Sequence, residues 1–351
     1  MIEIVFVHLG PELPVYLAAN IKRLQELWPT TRITLILDHE LKPPQATNVY
    51  FYERNSEIKK LISRNNETDD FWIKSLERLF SLVGYALSRD SQNAILHVES
   101  DVLLMPNFPF TEMSRLHRLT WNRYNDKKDV GALVFIPNRQ SAEVLKKAIV
   151  ETLEKTPGIT DMTLLSIVSN DLGLAQTFSN QLLPGNEFYL GTKQSLNPEV
   201  VSDFKLRGVF DPAQIGMWLA GLDPRNTFGF TRYQDKSFIL NGDSEIDPSR
   251  IQFTIDQNKC LFGVMNNESE VPIWSLHIHS KNLKLFEEEW AEELSRLVSK
   301  CQNRFRFHWN IKMTFLLINE NYHRKTLIRY LSHLPGLKRA KVVYKMLQSR
   351  G

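Results

Sequence analysis

The strongest constraint on the fold is the rhythm of the first 155 residues, in which short β-branched apolar runs alternate with longer amphipathic stretches. Ile2 to Val7 is an apolar run of strand length. Val15 to Leu27, after Pro11 and Pro14, carries its apolar residues at helical spacing. Arg32 to Leu37 closes at Asp38, Val49 to Tyr52 follows the Pro43-Pro44 turn, and Phe71 to Ser88 places Trp72, Leu76, Leu79, Phe80 and Val83 at helical spacing. Ala94 to Val98 and Gly131 to Ile136 read as further strands, and Arg139 to Lys155 as a helix. Such alternation predicts a mostly parallel sheet flanked by helices. Parallel neighbours need a crossover, and the crossover helix covers the sheet.

Beyond residue 158 the order loosens. Pro184 to Asn258 is rich in Gly, Pro, Asn and Asp, the composition of loops that carry recognition. A late apolar run, Ile273 to His279, predicts another strand, and Leu283 to about Lys300 a strongly charged helix. The net charge of +3 over 351 residues hides a split: residues 300–351 hold 12 Lys/Arg against one acid, Glu320, or +11, so residues 1–299 hold 31 bases and 39 acids, or −8. The expected division is a body, 1–299, in two halves of about 1–137 and about 138–299, followed by a basic, aromatic-rich helical tail at 300–351.

The densest chemical signal is Ala94-Ile95-Leu96-His97-Val98-Glu99-Ser100-Asp101-Val102, an apolar strand running into two carboxylates at i and i+2. At a strand end both can reach one cation, and hard oxygen ligands at the carboxyl edge of a parallel sheet suit Mg²⁺ or Mn²⁺ holding a diphosphate. Taken alone, an acidic pair at this spacing also reads as a solvated turn after a strand. In context it resembles the metal-binding D-x-D signature of GT-A glycosyltransferases, with Glu99 in the first position. The resemblance spans roughly residues 1–285 and includes the opening strand through His8, the strand ending at Asp38, the helix before the acids and the strand after them.

The resemblance implies a GT-A-like fold and a role for several further residues. His8 and Asp38 would line the nucleotide pocket. Lys74 and Arg78, on one face of the helix before the acids, would approach the nucleotide; their plainer reading is solvation or pairing with Glu77. His279 and Lys281, in the run Trp274-Ser275-Leu276-His277-Ile278-His279-Ser280-Lys281, match the closing motif that completes the metal site and meets the diphosphate. A buried pair of core histidines, His277 and His279, is the alternative.

Three acids are candidates for the base that would deprotonate an acceptor hydroxyl in an inverting enzyme: Asp211, Asp223 and Asp161. Asp211-Pro212 also reads as a helix cap, Asp223-Pro224-Arg225-Asn226 as an ordinary turn, and Asp161 as the first turn of a helix, where an acid suits the dipole. The expected activity is metal-dependent transfer of a sugar from a nucleotide-diphosphate donor to a glycan or glycolipid acceptor. A sugar nucleotidyltransferase is the enzymatic alternative, although the turn after the first strand, His8-Leu9-Gly10-Pro11-Glu12, is not the Gly-rich basic loop such enzymes use. A non-catalytic adaptor for membranes or polyanions is the third reading.

The sequence contains no P-loop, no G-x-G-x-x-G after the first strand, no H-E-x-x-H and no G-x-S-x-G. Two cysteines, Cys260 and Cys301, imply no disulfide framework, and the N-terminus lacks the pattern of a signal peptide. A cytoplasmic protein with no nucleic-acid partner is expected, and its tail reads either as a segment lying peripherally on an anionic membrane surface or as a helical cap packed on the acidic body by its aromatics.

Overall fold

The computed structural model describes residues 1–44, 47–53, 60–62, 70–91, 93–125, 127–178, 208–221, 248, 251–264 and 270–301. Met1–Ser299 form one compact unit and Lys300–Gly351 a second. The basic tail from 302 onward, Asp223, and most of the loop-rich stretch between Pro184 and Asn258 lie outside the described residues.

The expected alternation builds a seven-stranded sheet. Its strands are β1 (Ile2–His8), β2 (Ile33–Leu37), β3 (Asn48–Phe51), β4 (Ala94–Val98), β6 (Leu119–Asn125), β7 (Lys128–Ile136) and β8 (Ala175–Phe178), in the order β3-β2-β1-β4-β7-β6-β8. β3, β2, β1 and β4 run parallel, whereas β7 is antiparallel to both β4 and β6. The sheet is therefore mixed: β6 and β8 run parallel to each other and in the direction of β4, and among the described strands β7 is the one reversed between them. The antiparallel part arises at a tight β6–β7 connection, where Asn125 Oδ1 accepts from Lys127 N at 2.9 Å.

Period-two alternation sorts the side chains of β1 to opposite faces. Ile4 and Phe6 pack with Leu17, Ile21 and Leu24 of α1 (Val15–Leu27), and Val5 and Val7 pack with Leu76, Leu79, Phe80 and Val83 of α2 (Asp70–Ser88). α4 (Arg139–Lys155) and α5 (Asp161–Ser166) join the α2 side through Leu145, Ile149, Leu164 and Leu165. The short α3 (Phe110–Met113) lies with the α1 cluster.

A second sheet is not legible in the alternation. β5 (Val102–Leu104), only three residues beyond β4, leaves the first sheet and pairs antiparallel with β12 (Val271–His277), which continues through β11 (Leu261–Val264) to β10 (Gln252–Ile255). β9 (Val209–Phe210) also pairs with β12, running parallel to it, and α6 (Gln214–Ala220) follows. Phe210 meets Trp274 edge-on at 5.0 Å and Phe108 at 5.8 Å, which seats this sheet on the α1 face of the first. The late charged segment is not one helix from residue 283; a single 3₁₀ turn, Leu283–Leu285, precedes a helix over 290–301. Among the described residues, no helix is long and apolar enough to cross a membrane.

Candidate metal and diphosphate site

The strand order reverses about β1, whose neighbours are β2 on one side and β4 on the other, and the carboxyl ends of strands at such a reversal are where open α/β sheets bind ligands. His8 ends β1, Asp38 follows β2, and Glu99-Ser100-Asp101 bridges β4 to β5. The acids thus stand where one sheet hands the chain to the other.

Glu99, Asp101 and His277 converge there, each offering a ligand atom within 4.8 Å of the others'. His277 Nε2 lies 3.2 Å from Glu99 Oε2 and 3.3 Å from Asp101 Oδ1. The opposite ring nitrogen, Nδ1, donates to the carbonyl oxygen of Pro212 at 2.7 Å, which fixes the ring and leaves Nε2 to face the carboxylates. Each carboxylate is shared: Glu99 Oε1 pairs with Arg78 and Asp101 Oδ2 with Lys281, while the other oxygen of each faces the imidazole. Two carboxylate oxygens and one imidazole nitrogen are a fitting donor set for Mn²⁺ or Mg²⁺, and a basic side chain stands on either flank.

The electrostatics show the same division. Burial alone would raise the Glu99 carboxyl, but the Arg78 charge and the His277 hydrogen bond outweigh it and hold Glu99 well below the usual carboxylate range. Asp101 is likewise held down against burial by His277 and then Lys281. Burial would lower His277, yet Asp101 and Glu99 push it up to about 10, which favours the charged form of the ring between the two carboxylates.

The structure brings His277, not His279, to the carboxylates. β12 ends at His277 opposite Val102, and Ile278 N then donates to Asp101 O at 2.7 Å, which turns the chain. The strand-face reading that grouped residues 277, 279 and 281 stops applying at that turn. The His279 ring lies 4.2 Å from that of His277, and burial followed by the His277 charge lowers it to about 3. Lys281 returns to the site by another route: its backbone is left-handed, φ 54°, and its Nζ reaches Asp101 and lies 5.7 Å from the Tyr16 ring.

Asp211 has work that excludes the expected role of base. It is wholly buried, and its two oxygens accept from the backbone N–H groups of Ala213 (3.0 Å), Ile215 (3.0 Å), Gly216 (2.7 Å) and His277 (3.1 Å). A carboxylate so saturated caps α6 and ties it to the end of β12; it has no oxygen to offer an acceptor hydroxyl. Asp161 differs. It begins α5 behind the Thr160 cap, is 8% exposed, and has an Oδ1 without a hydrogen-bond partner among the described residues. Burial, with the Glu99 charge acting the same way and Arg78 opposing, raises it to about 6.

Of the remaining expected residues, Arg78 is in the site, whereas Lys74, one turn earlier, is exposed and bears on His8 only through its charge. Asp38 Oδ1 accepts from Gly10 N at 2.8 Å and lies 2.6 Å from His39 Nδ1, so it shapes the loop after β1. Burial lowers His8, which ends β1 beside that loop. Sequence reasoning noted His277 without giving it the ligand role. The signal that finds it is the β5–β12 register, which joins residues more than 170 apart.

Neither a protein-family model nor a curated protein matches the chain. Several solved structures are similar to about half of it. The galactosyltransferase LgtC, crystallised with donor and acceptor sugar analogs, is 16% identical over 47% of this chain and 70% of its own, with a TM-score of 0.33. A glycosyltransferase involved in glycosylation of the major capsid of PBCV-1 is 16% identical over 49% of this chain and 76% of its own, with a TM-score of 0.31. GlyE of Streptococcus pneumoniae TIGR4 is 12% identical over 51% of this chain and 45% of its own, with a TM-score of 0.35. All three are glycosyltransferases.

Proposed function

We propose that the protein is a divalent-metal-dependent glycosyltransferase that moves a sugar from a nucleotide-diphosphate donor to a glycan acceptor, free or lipid-linked. The observation that carries this reading is the division of the two carboxylates, one oxygen of each bound by Arg78 or Lys281 and the other turned to His277 Nε2. Glu99, Asp101 and His277 would hold Mn²⁺ or Mg²⁺, which supplies positive charge against a diphosphate leaving group. Arg78 and Lys281 neutralise phosphate oxygens from fixed positions. His8 and Asp38 line the nucleotide pocket, with Lys74 at its outer edge. Asp161, whose carboxyl is balanced between its two forms near pH 6, is the acid–base group assigned to the acceptor hydroxyl, and Asp223 is the second candidate. The +11 charge of residues 300–351 favours attachment of that segment to an anionic membrane surface.

Calorimetry with UDP, GDP and CMP, each with and without Mn²⁺, tests the reading. Metal-dependent binding of a nucleoside diphosphate is expected. An adaptor would bind none, and a nucleotidyltransferase would consume a nucleoside triphosphate and a sugar phosphate. Asp101→Asn is expected to abolish metal-dependent donor turnover while circular dichroism stays that of the native chain. Full turnover in that variant refutes the site.

A further inference from the structure

We infer that Asn20 and Arg23 of α1 are positioning residues for the carboxylate loop, gripping its backbone so that Glu99 and Asp101 meet His277; this rests on the metal-site reading above. The two lie at i and i+3 and so share a helix face. Asn20, fully buried, donates from Nδ2 to the carbonyl oxygens of Ser100 (3.3 Å) and Val102 (2.9 Å). Arg23, 3% exposed, donates from Nη2 to the carbonyl oxygen of Leu104 at 2.5 Å, with its guanidinium 4.3 Å above the Trp290 ring. The residues on either side of Asp101 are thus held by one amide, and the strand that follows is held by the guanidinium.

The loop needs such support because it joins two different sheets. Its own main-chain bonds are few: Glu99 N to Ala132 O, Val102 N to Glu99 O, and Ile278 N to Asp101 O. The grip is also costly to stability. Leu17, Ile21 and Leu24 on the same helix are core residues, and apolar side chains at 20 and 23 would extend that core. Instead, Asn20 Oδ1 and Arg23 Nε and Nη1 are buried without hydrogen-bond partners among the described residues. Buried polar atoms left unpaired are destabilising, so the packing of α1 does not account for these two side chains, whereas holding the loop does.

The full-length chain, as wild type and as Asn20→Leu, Arg23→Met and Arg23→Lys, separates the two roles through three measurements: the metal-free thermal midpoint, hydrogen exchange across residues 96–105 in metal-free protein, and Mn²⁺ titration. Asn20→Leu and Arg23→Met are expected to speed exchange across that segment while exchange elsewhere and the midpoint hold or improve. Mn²⁺ binding should weaken by about 10- to 100-fold, as for partners that orient metal ligands. Arg23→Lys keeps a donor for Leu104 and should recover most of the loss.

Unchanged exchange at 96–105 overturns the inference, as does faster exchange spread evenly over the chain with a matching fall in midpoint. If Asn20→Leu does not fold, the Met–Lys pair at position 23 decides by the same criteria. Failure of the wild type to bind Mn²⁺, with the exchange response as expected, removes the metal reading and leaves the positioning role standing.

Discussion

Replacing Gly216 with alanine should destabilise the protein even though the position is helical. In an unencumbered helix the change gains about 1 kcal/mol of propensity. In α6 a Cβ at this position would lie 2.1 Å from the carbonyl oxygen of His277, 2.7 Å from its carbon and 3.1 Å from Asp211 Oδ2. Contacts under 3.0 Å are essentially never tolerated, so helix and strand must part by 0.9 Å, the difference between 3.0 and 2.1. The obstacle is main chain, pinned by Asp211 through both Gly216 N and His277 N and by the β5–β12 ladder, so no rotamer change relieves it. Overpacking costs about 1–3 kcal/mol, and a main-chain clash belongs at the upper end, leaving a net loss of roughly 2 kcal/mol after the propensity gain. Urea denaturation should give a lower midpoint at unchanged slope. Because the displaced carbonyl belongs to His277, Mn²⁺ affinity should fall as well. A Gly216→Ala protein as stable as the wild type, or more so, would refute the close approach of α6 to β12 on which the placement of His277 depends.

The same geometry predicts a pH signature. His277 is raised from 6.5 to about 10 in the metal-free fold, so its contribution to stability is complete below pH 6.5 and lost as pH rises through about 10. Metal-free thermal midpoints should fall across that window. Bound Mn²⁺ requires a neutral ring, so it should expel a proton, measurable by calorimetry in buffers of different ionisation enthalpy, and flatten the fall. Asp211→Ala would strand four buried N–H groups and should cost at least about 3 kcal/mol in denaturant melts, with Mn²⁺ binding lost alongside. Glu3→Gln is the contrasting case. Glu3 accepts from Thr34 (2.5 Å) and Tyr85 (2.6 Å) and pairs with Arg89 (3.0 Å) at the far edge of β1, so about 3 kcal/mol of stability should go while Mn²⁺ affinity in the folded protein stays unchanged.

Much of the first sheet is legible in the sequence because its elements are local. A β-branched run of five to seven residues and an amphipathic run of thirteen to nineteen signal themselves through periodicity, and β1, α1, β2, α2, β4 and α4 fall close to where those patterns stand. The acidic pair is legible for the same reason, since both carboxylates sit at one strand end. The turn that brings Lys281 back, the exit of β5 into a second sheet and the exchange of His279 for His277 are not, because each depends on a partner strand more than 160 residues away. Asp211 shows the limit from the other side: a capping residue and an acid–base residue have the same one-letter code and can precede the same helix.

The sequence by itself determined that the chain builds a helix-flanked, largely parallel sheet and that Glu99 and Asp101 stand at its carboxyl edge, since apolar periodicity and the i, i+2 spacing act within a single element. Tertiary structure alone decided which imidazole completes the trio, which cation pairs with which carboxylate oxygen, and that Asn20 and Arg23 hold the loop in place. Those outcomes come from strand register and from the burial of polar groups against distant backbone, where a shift of one residue would turn His277 away and no local pattern records which register is formed.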